Sequence, residues 1–158
     1  MAIREFHLGF ERKIGYSFVG LLAGDAALFA YFFLGIRPWE HGGWGALGFF
    51  PVYAFFSLLG WIVVGIPAVL FISMEFIAEL SWLPLVLIGA ALGVFAQFLI
   101  FLLLGSRGNL NLPGHWNEVA WYFMKAVIVS TAAFAVYCAL IRRALRKIES
   151  GAPSGTPQ

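Results

Sequence analysis

Four long apolar runs alternate with short polar stretches along this chain, roughly Ile14 to Ile36, Leu47 to Ile72, Leu83 to Leu104 and Val119 to Ile141. Each reaches or exceeds the ~20 residues that a helix needs to cross ~30 Å of hydrocarbon. Hydrocarbon offers the backbone no hydrogen-bond partner, so such runs are expected as helices rather than open strands. The pattern predicts an all-α integral membrane four-helix bundle made of two antiparallel transmembrane hairpins. Residues 1–13 then form an interfacial N-terminal segment, 14–148 the four-span domain and 149–158 a disordered tail rich in Ser, Gly and Pro.

Composition agrees: 61% of residues are hydrophobic and 11% charged, with a mean hydropathy of +0.88, outside ordinary soluble usage. No stretch is left over for a second, water-soluble domain. The formal net charge of +2 is small and its basic residues gather at the chain ends. Nucleic acid is therefore not an expected partner, and the lipid bilayer is.

Those basic residues also set a direction. Arg4, Arg12 and Lys13 precede the first run, and Arg142, Arg143, Arg146 and Lys147 follow the last, whereas the two loops on the opposite side carry only Arg37 and Arg107. The positive-inside rule places both termini in the cytoplasm, N-in and C-in, for a multi-pass protein of the cell membrane, of bacterial inner-membrane type. Trp39, Trp44, Trp116, Trp121 and Tyr122 would then form an aromatic belt at the outer interface, with Trp82 at the inner one.

Local chemistry predicts irregularities. Pro67 lies inside the second run and removes a helical donor, freeing the carbonyl of Val63, so a kink is expected there. Beyond Ile72 the stretch Ser73 to Leu80 reads as a continuation of that helix past the membrane. It places Glu75 and Glu79 one turn apart, within reach of the basic stretch Arg142 to Lys147. Ahead of the first run, Ile3, Phe6 and Phe10 recur at helical spacing, which suits a short helix in the headgroup region.

Without a water-driven force between helices, close approach through small residues becomes a main source of attraction. Gly20 and Gly24 in the first run, extended by Ser17 and Ala27, form one GxxxG stripe, and Gly89 and Gly93 in the third form another. Both are expected to pack within the bundle, with homodimer contact as the competing use.

Asp25, the only aspartate, is the most unusual residue, because it sits near the middle of the first run. An ionised carboxylate facing lipid would cost at least ~2.5 kcal/mol, so Asp25 must face a helix, hold a proton, or both. At 1.5 Å rise per residue, Lys125 lies ~9 Å below the outer boundary, Gln97 ~10 Å and Ser130 ~16 Å. Asp25, Gln97, Lys125 and Ser130 are thus the candidate polar cluster, with an Asp25–Lys125 pair allowed by depth and snorkelling of Lys125 to the headgroups as its alternative.

Several chemistries are disfavoured. Cys138 is the single cysteine, so disulfide, CxxC and cysteine-rich metal sites cannot be built from this chain, and inside the fourth run it reads as an inert core residue. His7, His41 and His115 lie outside the runs, which disfavours a bundle haem or an intramembrane serine hydrolase, and no phosphate-binding glycine loop occurs. Glu40, His41, His115 and Glu118 could converge at the outer face, but no metal-binding motif supports them, and neither a metal nor another cofactor is expected. An enzyme is not the favoured expectation. That expectation is a small structural or accessory membrane protein binding a partner protein or lipid through its helix faces, with homo-oligomerisation open to it. The alternative is a proton-linked small transporter or channel subunit using Asp25.

Overall fold

The computed structural model describes residues 10–36, 48, 50–105 and 116–151. Helix α1 covers Phe10–Ile36, α2 Phe50–Gly60, a π-helical segment Trp61–Gly65, α3 Ile66–Phe71, α4 Met74–Glu79, α5 Trp82–Gly105 and α6 Trp116–Gly151. Four helical stretches are long and apolar enough to cross a membrane: Phe10–Gly35, Phe50–Phe71, Trp82–Leu102 and Val119–Lys147. Their large apolar side chains point outward in number, as expected where the solvent is lipid; Phe71 is 89% exposed and Leu83 70%.

Helix α6 is the spine of the molecule. Its 36 residues extend ~54 Å at helical rise, well beyond a ~30 Å hydrocarbon core. It continues regularly through Gly151, so residues 149–151, expected as part of a disordered tail, belong to the helix. The rest of that tail, most of the N-terminal segment and most of the connections after α1 and after α5, with His41 and His115, lie outside the described residues.

Helices α1 and α5 pack along α6 on two flanks, and glycines permit both contacts. A Cβ at Gly20 would collide with the Ala133 carbonyl, and one at Gly24 with that of Val129; on the other flank, Gly89 lies against Thr131 and Phe134, and Gly93 against Ser130 and Ala126. Both GxxxG stripes therefore face the same helix, and side chains there would hold the backbones apart.

The second membrane-length stretch, α2 through α3, touches α1 and α5 more sparingly. Its irregularity lies just upstream of Pro67. The Ile66 N–H donates to the Trp61 carbonyl, five residues back, which closes a wide π turn over Trp61–Gly65. Pro67 follows directly in the same helical stretch and has no N–H to donate, so the wide turn sits where a helical hydrogen bond is missing. Gly65 leaves room for the indole, since a Cβ there would sit 2.8 Å from Trp61 Cδ1.

The stretch after Ile72 corrects the expectation of a continuous helix. Ile72 turns to extended backbone at ψ 119°, and α4 begins anew with Ser73 as its cap, its Oγ accepting from the Phe76 N–H at 3.2 Å. Arg142, rather than pairing with Glu75 or Glu79, donates through Nε and Nη2 to the Ile77 carbonyl at 3.0 and 2.9 Å and through Nη2 to that of Leu80. Its guanidinium also lies over the Trp82 ring, 4.9 Å from the centroid. Carbonyls at a helix end lack helical donors, and the planar five-donor guanidinium of Arg142 supplies them. Here the principal core gathers: Val69, Ile77, Leu85, Phe134, Tyr137, Cys138 and Ile141 are mutually packed and buried.

Candidate functional site

Between α2–α3 and α6, flanked by α1 and α5, lies a cavity of about 700 Å3. Along α6 its wall runs from Tyr122 to Tyr137, ~22 Å at helical rise. The lining is mostly aliphatic and aromatic, with Ser57, Gln97, Lys125 and Ser130 among its few polar side chains. Such a volume falls within the ~300–1,000 Å3 of small-molecule pockets, and the chemistry of its walls matches theirs.

The cavity exists because the two sides of α6 are bound differently. Glycine contacts draw α1 and α5 against it, whereas α2 and the π turn that follows are held by polar side chains four residues apart, Tyr53, Ser57 and Trp61. Trp61 Nε1 donates to Ser17 Oγ at 3.3 Å, Ser57 hydrogen-bonds the Asp25 carboxyl, and Tyr53 Oη accepts from Lys125 Nζ at 2.7 Å. Aromatic contacts reinforce these links: Phe18 with Trp61, Phe29 with Phe50 and Phe32 with Tyr53. Polar side chains meeting across helices tie them at discrete points and leave the space between unfilled.

The expected polar cluster is thus divided. Asp25 pairs with Ser57 and not with Lys125, and its enclosed Oδ1 has no hydrogen-bond partner among the described residues. Ser130 turns back on its own helix, donating to the Ala126 carbonyl at 2.8 Å, and takes part in the Gly93 contact. Gln97 faces the cavity. Nearby depths did not bring these groups together because depth fixes position along a helix and leaves direction around it open.

Lys125 neither pairs with Asp25 nor snorkels outward. It is 6% exposed, and its ammonium sits among four rings, 4.5 Å from the Tyr53 centroid, 5.0 Å from Tyr122, 5.2 Å from Phe32 and 5.3 Å from Trp121. Ring faces are electron-rich, and each such contact is worth ~0.5–2 kcal/mol, so the box offsets part of the cost of burying the charge. The sequence reading missed this box, because rings count as apolar. The signal was nonetheless present: Trp121 and Tyr122 lie within one turn of Lys125, and Phe32 and Tyr53 border the same connection.

Fold and site together define the class: a helical protein whose described residues form four membrane-length apolar helices around an open-sided, largely apolar cavity with the buried Lys125 on its wall. Comparisons of the chain with protein-family models, curated proteins and solved structures find no match.

Proposed function

We propose that this protein is a small accessory protein of the cell membrane, with two antiparallel hairpins and both termini cytoplasmic, that binds a lipid within its helices. The cavity carries this reading. Its length approximates that of an extended acyl chain, its walls are mostly apolar, and its lining residues all belong to the four membrane-length helices. The proton-linked alternative would need Asp25 to pass its proton to a second group along a path. Asp25 instead bonds Ser57 at the α1–α2 contact, where a carboxyl fixes which helix faces meet.

The test is lipid retention. Protein purified in a neutral detergent is extracted with organic solvent, and the lipid is quantified by mass spectrometry for wild type and for Val64→Phe, which adds a ring to the cavity wall. About one lipid per wild-type chain, lost in the variant while helix content persists, supports the proposal; no retained lipid in wild type, or equal retention in both, overturns it.

A further inference from the structure

We infer that the cavity selects an acidic amphiphile, whose anionic headgroup is held by Lys125 and whose apolar tail lies along α6 toward Phe134 and Tyr137. The inference rests on the lipid-binding reading above and names the ligand's chemistry. Moving an acyl chain from bilayer to an apolar protein cavity gains nothing from the hydrophobic effect, because lipid tails are as apolar as the walls. Selectivity must then come from the polar end of the ligand.

The polar end of the cavity is cationic. Lys125 Nζ donates one hydrogen bond, to Tyr53 Oη, and no carboxylate among the described residues pairs with it. An ammonium has three donors and a full charge, and rings stabilise it without neutralising it. A phosphate or carboxylate at the cavity end would supply the missing counter-charge and accept the remaining donors through charge-assisted bonds. Lys125 stands one turn from Tyr122, which with Phe101 and Tyr53 forms that end of the lining. It is also near the ends of α1 and α2 that flank their connection, as a headgroup arriving from a membrane surface requires. From there to Tyr137 the lining is aromatic, aliphatic and small, with the Gln97 amide and scattered hydroxyls as its polar groups.

The experiment uses the full chain in phosphatidylcholine vesicles containing a minor fraction of lipid with brominated chains, either phosphatidylglycerol or phosphatidylcholine. Trp61 lines the cavity, and its quenching is isolated by subtracting the signal of Trp61→Phe. The expected result is a roughly tenfold preference for the acidic lipid, lost in Lys125→Gln and largely kept in Lys125→Arg. Equal quenching of wild type by both lipids, or an unchanged preference in Lys125→Gln, overturns the inference. If equal quenching is abolished by Val64→Phe, the cavity still takes lipid and only the headgroup assignment falls. Glycerol phosphate added without a chain should not displace the brominated lipid at millimolar concentration; displacement would identify a small-anion site and overturn the amphiphile.

Discussion

Glycines in this molecule divide by what stands opposite them. At Gly24 and Gly93 a side chain would meet backbone carbonyls of α6, which cannot swing aside, whereas Gly15 faces open space. Gly24→Val and Gly93→Val should each destabilise by ~1–3 kcal/mol through overpacking, and Gly15→Ala should be neutral or gain up to ~1 kcal/mol in helix propensity. Chemical unfolding in mixed micelles, followed by helical circular dichroism, measures all three. The same method examines Asp25. Ser57→Ala removes its hydrogen-bond partner and should cost ~0.6–2 kcal/mol, while Asp25→Asn keeps a bonding group without charge and should cost clearly less than that. Were Asp25→Asn as damaging as Ser57→Ala, charge rather than hydrogen bonding would be what that position needs. Asp25 itself was legible as the residue that must find a partner. Ser57 was not, because a hydroxyl in an apolar run is unremarkable until its direction around the helix is known.

Between helices, what the sequence disclosed depended on whether hydropathy or hydrogen bonding set the boundary. The fourth run continues as helix past Ile141 to Gly151, and the first three emerge as helix within a few residues of the apolar stretches, since lipid enforces helix wherever backbone is apolar and long. Two breaks did not. The π turn at Trp61–Gly65 leaves hydropathy unchanged, with Pro67 the one local sign of irregularity, and the interruption at Ile72 coincides with the end of the apolar run, where the helical spacing of Glu75 and Glu79 read as a continuation, although Ser73 capping Phe76 is a local signature of a new helix. Short α4 has little stability of its own, as an isolated six-residue helix would not persist. Packing of Ile77 and the Arg142 bonds hold it in place. Arg142→Ala should therefore raise amide exchange across Met74–Leu80 at least tenfold, with little change within α5. Arg142→Lys should recover only part of the protection, because a single ammonium lacks the planar fork and stacks less well on Trp82. Hydrogen exchange with mass detection reads both, and full protection in Arg142→Lys would show that charge alone suffices.

Taken together, α1, α6 and α5 form a slab joined through glycine contacts, and the second stretch is fixed to it at two ends by different means. At one end Tyr53, Ser57 and Trp61 make polar and aromatic links; at the other, Val69 joins the buried core with Tyr137, Cys138 and Ile141. The rest of the π turn lies between, and the cavity runs alongside. Pairwise polar links inside membrane proteins are weak, typically ~0.6 kcal/mol and rarely above ~2, so the first end should loosen more readily than the second. Cys138 makes this measurable, being the only cysteine and fully buried in that core. A membrane-permeant maleimide should react with it only when the core opens. Gly24→Val, which forces α1 from α6, should accelerate labelling several-fold, whereas Tyr53→Phe combined with Trp61→Phe should leave its rate near that of wild type. Loosening the far end would then enlarge access to the cavity without disturbing the core, a division of labour that suits a protein admitting lipid from one side. If the double variant exposed Cys138 as readily as Gly24→Val does, the four helices would open as one cooperative unit, and the second stretch could not act as a separate wall.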